Sequence, residues 1–391
     1  MKKKIKTIVI NLMVFIVLLI IADFFLAIAL DLRQFNKNRS SGNGIGRVIP
    51  NDVNINDIDK RAFLSNYDSL DWAIPYYLEE NREKSAAYKS YVGFRLKPYQ
   101  GVHITIDTNG FRYTPQLMND NDSLPIAVFL GGSTMYGSGC PDNYTIPFYF
   151  ARNQKGFKVF NFGQPTYTAY QSFIALQLEI TKGFEPNLVI SYDGVNNSPA
   201  LHGFFEHSRE ALFKERIQGV RPADTSKDFL SFRANRKFIE ILRYKIKSNE
   251  DSTIDFNKAA PKMQNEAAAI ELLESWLAMK TLCKEHDADF VCFLQPHTFV
   301  GNPDLSNLIN SNYTNWHRGL YNSYQYYDNV FRLLDTDKYK ELKPHFYDLT
   351  NVLDHMPNVY IDFCHLSPNG NEKIADEILK YLRQERNRNL N

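Results

Sequence analysis

Four short apolar runs, Ile126–Leu130, Phe157–Phe160, Leu188–Tyr192 and Phe290–Leu294, recur along the last two thirds of the chain, with a weaker one at Asn358–Ile361. Helical patterns lie between and after them, at about Tyr144–Asn153, Tyr170–Lys182, Ala267–Glu285 and Glu372–Arg386. Runs that are apolar throughout belong to strands covered on both faces, and their alternation with helices predicts an α/β unit built on a parallel sheet. In such sheets ligands bind beyond the carboxyl ends of the strands. The conspicuous polar residues fall there.

The other features limit the classes of function. The chain has 391 residues, of which 44% are hydrophobic, enough for one large domain with appendages. Its 45 basic and 44 acidic residues leave a net charge of +1, so it lacks the basic footprint of a nucleic-acid binder. Aromatic residues at 14% suit an aromatic core or sugar-stacking surfaces.

Residues 1–33 read as a Lys-rich cytoplasmic tip and a membrane anchor. Ile8–Leu30 is apolar except for Asn11 and Asp23, long enough as a helix to span a bilayer, and Lys2, Lys3, Lys4 and Lys6 precede it. This orientation exports the rest of the chain to the periplasm or cell surface. A cleavable signal peptide ending near Ala27-Ile28-Ala29 is the competing reading. Residues 34–120 read as a stalk, Gln34–Asp57, followed by a small β-rich appendage that includes Val102–Asp107 and the turn Asn109-Gly110. Residues 121–391 form the main domain. A charged segment at about 199–263 interrupts its rhythm and is expected to be either a lid over the site or a solvated excursion. Cys283 and Cys292 fall in core-like patterns, whereas Cys140 and Cys364 lie in loops expected to converge, where a disulfide is one outcome.

The chemistry comes from residues at the strand ends. Ile126–Leu130 empties into Gly131-Gly132-Ser133-Thr134, and far downstream stands Asp362-Phe363-Cys364-His365. A serine hydroxyl attacks only when a base takes its proton, and a histidine oriented by a carboxylate is such a base. Ser133, Asp362 and His365 are therefore the candidate catalytic triad. Asn161-Phe162-Gly163 follows the second run and Asp193-Gly194-Val195-Asn196-Asn197 the third. The Gly163 backbone amide and the Asn196 side chain are the candidate donors to an oxyanion. No Gly-x-Ser-x-Gly motif occurs, since Met135 stands at the last position, and no His-Glu-x-x-His zinc motif occurs. His202 and His207 read as surface of the charged segment rather than ligands, so neither metal nor cofactor is expected.

The ordered set Gly-Gly-Ser-Thr, Asn-Phe-Gly, Asp-Gly-Val-Asn-Asn and Asp-Phe-Cys-His resembles the SGNH hydrolases, also called the GDSL lipase/esterase family, from Leu124 to about Leu382. Asn109-Gly110-Phe111-Arg112, Gln295-Pro296 and His365–Asn371 also look like membrane-anchored bacterial members of that group. The resemblance implies a three-layer α/β/α sandwich with a parallel, flavodoxin-like sheet. It implies the triad Ser133, His365 and Asp362 and an oxyanion hole from Ser133, Gly163 and Asn196. Gly-Gly-Ser replaces the family's frequent Gly-Asp-Ser, and Asn197 stands where Asp is common. The expected activity is hydrolysis of O-acyl esters, acetyl first, on a cell-surface carbohydrate. Transfer of the acyl group to a polysaccharide, lipid-ester hydrolysis and non-catalytic glycan binding are the alternatives.

Overall fold

The computed structural model describes residues 59–83, 85–116, 124–198, 262–308 and 324–388. All of them belong to one compact unit, formed by residues 46–221 together with 255–391. The expected anchor, the stalk, the segment 199–261 and the histidines His202 and His207 lie outside the described residues. Among the described residues no helix is long and apolar enough to cross a membrane.

The upstream part holds helix α1 (Ala73–Glu83) and two antiparallel pairs, β1 (Ala86–Lys89) with β2 (Gly93–Leu96) and β3 (Tyr99–Gln100) with β4 (Thr105–Ile106). These short pairs belong to the same unit as the main sheet. Single antiparallel bridges, Ile106 to Arg112 and Arg112 to Asn161, connect them to the main sheet.

That sheet has five parallel strands, β5 (Ile126–Gly131), β6 (Lys158–Asn161), β7 (Leu188–Asp193), β8 (Asp289–Leu294) and β9 (Phe346–Asp348), in the order β6-β5-β7-β8-β9. The order is flavodoxin-like, with the first strand flanked by the second and third, so the chain reverses its winding beside β5. Strand side chains alternate between two cores. Val128, Leu130, Val189, Cys292 and Leu294 face one core with helices α4 (Ala169–Ile180), α5 (Lys262–Glu285) and α6 (Tyr326–Leu334). Ala127, Phe129, Ile190, Tyr192, Val291 and Phe293 face the other with α3 (Ile146–Asn153) and α7 (Pro368–Arg388). Two buried faces explain why β5, β7 and β8 show no alternating polar face.

Helix boundaries follow local chemistry. Thr145 caps α3 by accepting from the Phe148 N–H, and Thr168 and Gln171 form a reciprocal capping box on α4. The run Asn358–Ile361 is not a strand. Asn358 is left-handed (φ 58°), and the Ile361 N–H donates to the His365 carbonyl at 3.0 Å, closing a loop. Its apolar residues Val359, Tyr360 and Ile361 are buried beneath that loop, which mimics the pattern of a strand. The fifth strand is instead Phe346–Asp348, a short sheet edge just after Pro344. All four cysteines are buried free thiols, so Cys140 and Cys364 form no disulfide.

Candidate active site

Strand β5 ends in two glycines and turns at once into a one-turn helix, α2 (Ser133–Tyr136), with Ser133 as its first residue. The glycines let this turn sit tightly. A Cβ on Gly132 would lie 2.1 Å from Asn196 Nδ2, so only glycine admits the Asn196 amide beside the nucleophile turn. That amide donates to the Tyr167 carbonyl at 2.9 Å, which fixes its position next to Gly132.

Asp362 and His365 come from the loop between Tyr360 and Leu366, closed by an antiparallel bridge between those two residues. Asp362 Oδ1 accepts the backbone N–H of Cys364 (3.0 Å) and of His365 (2.8 Å), an Asx turn that is the local reason for the Asp-x-x-His spacing. The turn leaves Oδ2 facing His365 Nδ1 at 2.7 Å, and His365 Nε2 lies 2.7 Å from Ser133 Oγ. With its Nδ1 proton held by the carboxylate, the ring presents the Nε2 lone pair to the hydroxyl. Ser133, Asp362 and His365 are all half-buried, reachable by a substrate yet shielded from bulk water. Burial pushes the Asp362 carboxyl up, but the charge and hydrogen bond of His365, the charge of Arg61 and the Cys364 amide outweigh it. The carboxyl is held well below its usual range and stays ionised.

The three expected oxyanion donors are placed differently from one another. Ser133 N–H opens a helix, where no intrahelical acceptor exists. Asn196 Nδ2 lies against Gly132 as described. The Gly163 N–H instead donates to Asn161 Oδ1 at 2.9 Å, inside its own turn. It reaches an oxyanion only if that bond opens or becomes three-centred. Gly163 is nonetheless a packing requirement, because a Cβ there would meet the Tyr136 nitrogen at 2.4 Å.

Several supporting residues carry no local sequence signal. Asn161 Nδ2 donates to the carbonyls of Met135 (3.0 Å) and Tyr136 (3.4 Å), tying β6 to the nucleophile helix. Asp193, buried below the Asn196 turn, accepts from Ser191 Oγ and from Trp276 Nε1 (3.1 Å), and burial pushes its carboxyl up to about 6 against those bonds. Arg61 Nη1 donates to Asp362 Oδ2 at 3.1 Å from the far end of the chain. Among the described residues the one group of potential metal ligands is Asp362, Cys364 and His365, of which Asp362 and His365 already form the relay to Ser133.

No family model and no curated protein matches the sequence. Solved structures similar to it include a carbohydrate acetylesterase family member from Sinorhizobium meliloti, at 13% identity and TM-score 0.37 over 66% of this chain and 98% of that one. A member of the lipolytic G-D-S-L family from Veillonella parvula has 8% identity and TM-score 0.35 over 65% and 96%. The inhibitor-bound M. smegmatis aryl esterase has 11% identity and TM-score 0.36 over 66% and 99%. The site is read from its own residues. Ser133, Gly163 and Asn196 follow β5, β6 and β7, and His365 lies in the last loop, so all four gather at the carboxyl edge of a flavodoxin-like sheet.

Proposed function

We propose that this protein is an extracytoplasmic, membrane-anchored serine esterase of SGNH type that removes O-acyl groups, acetyl first, from a cell-surface carbohydrate. The observation that carries the chemistry is the unbroken relay from Ser133 Oγ through both ring nitrogens of His365 to Asp362. Ser133 attacks the ester carbonyl as His365 Nε2 takes its proton, and the tetrahedral oxyanion is held by the Ser133 amide and the Asn196 side chain. His365 then protonates the leaving alkoxide. Water, activated by the same imidazole, attacks the acyl-serine and releases the acid. Asp362 stays ionised throughout and holds the ring in the tautomer each step needs.

Anchoring and export rest on the Ile8–Leu30 segment and its flanking lysines. The test is acetyl-ester hydrolysis and fluorophosphonate labelling of the full-length protein in detergent. Ser133→Ala abolishes both on this reading, and activity that survives the substitution refutes the nucleophile assignment. Product analysis with a polysaccharide acceptor present separates hydrolysis from transfer. Resistance of the protein to alkaline extraction from membranes checks the anchor.

A further inference from the structure

We propose that Arg61 is a positioning residue that extends the triad to four members and sets the pH range in which His365 acts as a base, an inference that rests on the serine-esterase reading above. Arg61 lies 301 residues from Asp362 in sequence, in a single helical turn, Lys60–Phe63, capped by the Asp59 carboxylate through the Arg61 N–H. Its guanidinium is gripped by Asp59, with Nη2 to Oδ2 at 2.7 Å and Nε to Oδ1 at 3.1 Å. It lies over the Tyr77 ring at 5.3 Å and reaches Glu80 Oε2 at 3.8 Å. The remaining arm, Nη1, donates to Asp362 Oδ2 at 3.1 Å, the same oxygen that receives His365 Nδ1.

Sharing that oxygen has two effects. Nη1 holds Oδ2 together with His365 Nδ1, while the Cys364 and His365 amides hold Oδ1, so both carboxylate oxygens are tied in place. The guanidinium also places a permanent positive charge within about 6 Å of the imidazole, which opposes formation of the imidazolium. Around His365 the other titratable groups are Asp362, Ser133 and Cys364, whose Sγ is 3.8 Å from Nδ1. Burial holds the Cys364 thiol neutral. Around Arg61 they are Asp59, Glu80, Tyr77 and Asp362. Asp59 and Glu80 offset part of the guanidinium charge, so the three carboxylates and one arginine act as a single electrostatic unit behind the ring.

The fluorophosphonate labelling rate of the full-length protein, measured against pH, tests this. In Arg61→Gln the acid limb moves to higher pH, because the charge opposing the imidazolium is gone. The shift is between about 0.5 unit with water-like screening and about 2 units at an effective dielectric of ~20. The plateau rate falls by no more than about tenfold, since the Asx turn still orients Asp362. Arg61→Lys keeps the charge and leaves the limb near that of the unaltered protein. Asp59→Asn moves the limb the other way, to lower pH, by removing a compensating negative charge, and it decides the matter if Arg61→Gln fails to fold. A folded, labelled Arg61→Gln protein whose limb stays within about 0.2 unit overturns the proposal, as does a limb in Asp59→Asn that is unmoved or moves upward. Failure of the unaltered protein to label, by contrast, overturns the serine-esterase reading itself.

Discussion

Replacing Arg112 by methionine should be among the most damaging single changes outside the triad. Arg112 is fully buried, and its guanidinium spends every face of its fork. Nε donates to Asp142 Oδ1 at 2.8 Å, Nη1 to the carbonyls of Tyr136 (3.1 Å) and Gly137 (2.9 Å), and Nη2 to that of Cys140 (2.6 Å). It also covers the Tyr136 ring at 4.7 Å. The three carbonyls end the nucleophile helix and the loop that follows it; those of Tyr136 and Gly137 also accept from Asn161 Nδ2 and the Cys140 N–H, and Arg112 joins all three in one buried site. Methionine keeps the apolar stem and loses all four bonds. Breaking a buried ion pair by removing one partner costs about 3–5 kcal/mol, to which the Cys140 carbonyl that loses its donor contributes. In a unit of this size that corresponds to a fall in Tm of about 5–8 °C. Urea and thermal unfolding of Arg112→Met, Asp142→Asn and the double variant measure it. Asp142→Asn should cost clearly less, since the arginine keeps its three carbonyl acceptors. A loss below about 1 kcal/mol for Arg112→Met, or an Asp142→Asn variant that is equally damaged, refutes the reasoning.

Gly132→Ala drives its methyl to within 2.1 Å of Asn196 Nδ2 and should lower kcat on acetyl esters about 100-fold, the scale of losing one oxyanion donor, with the fold intact by circular dichroism; turnover within threefold of normal argues against the Asn196 role. His297 is buried, its Nε2 has no hydrogen-bond partner, and burial lowers its pKa to about 3. The fold therefore binds it neutral, and its contribution is present above the unfolded value of about 6.5 and lost as pH falls toward 3. Between pH 7 and pH 5 the unaltered protein should lose about 2 kcal/mol more stability in urea than His297→Phe does. Asp193 has the opposite sign: with its carboxyl raised to about 6, its contribution is full below the unfolded value of about 3.8 and lost as pH rises through 6. Relative to Asp193→Asn, the unaltered protein should gain up to about 3 kcal/mol on going from pH 7 to pH 4, and a constant difference across that range counts against a buried carboxyl. Residues 121–391 expressed alone should bind a hydrophobic dye and unfold without a sharp transition, whereas residues 47–391 should unfold cooperatively.

Four of the five strands and four of the principal helices are legible in the sequence because each is a run of one periodicity bounded by turn residues. Ser133, Asp362 and His365 are legible for a related reason: the first follows a strand directly, and the other two are joined by a local turn whose spacing the Asx geometry sets. What was not legible has non-local causes. The three residues of β9 are half-exposed and too few to show a period, while buried Val359–Ile361 shows one without forming a strand. Gly163 was expected to lend its amide to the oxyanion, and no pattern in Asn-Phe-Gly reveals that the Asn161 side chain occupies that amide. Arg61 is one arginine among many until the fold brings it to Asp362.

Three arginines upstream of β5 show how deeply the early chain enters the catalytic unit. Arg61 ends on Asp362, Arg112 on the loop after Ser133, and Arg95 on Glu179 of α4 at 2.6 Å while covering the Phe111 ring at 4.1 Å. Polar side chains of the second block return the attachment. Gln164 accepts the Leu96 N–H and donates to the Gly110 carbonyl, Gln171 donates to the Val92 carbonyl, and the Tyr167 hydroxyl donates to the Phe94 carbonyl. Helix α1 adds the Tyr76 hydroxyl, which accepts the Gly139 N–H, and the Tyr67 hydroxyl donates to the Gly139 carbonyl. The loops that carry Ser133, Gly163 and Asp362 are thus braced from outside by residues 59–116. A parallel sheet fixes where its strands end, but the loops beyond those ends have no ladder of their own to hold them. Here the upstream segment supplies that support, with Arg61 at the Asp362 loop, Arg112 at the loop after Ser133, and the Leu96 and Gly110 backbone at the turn after Gly163.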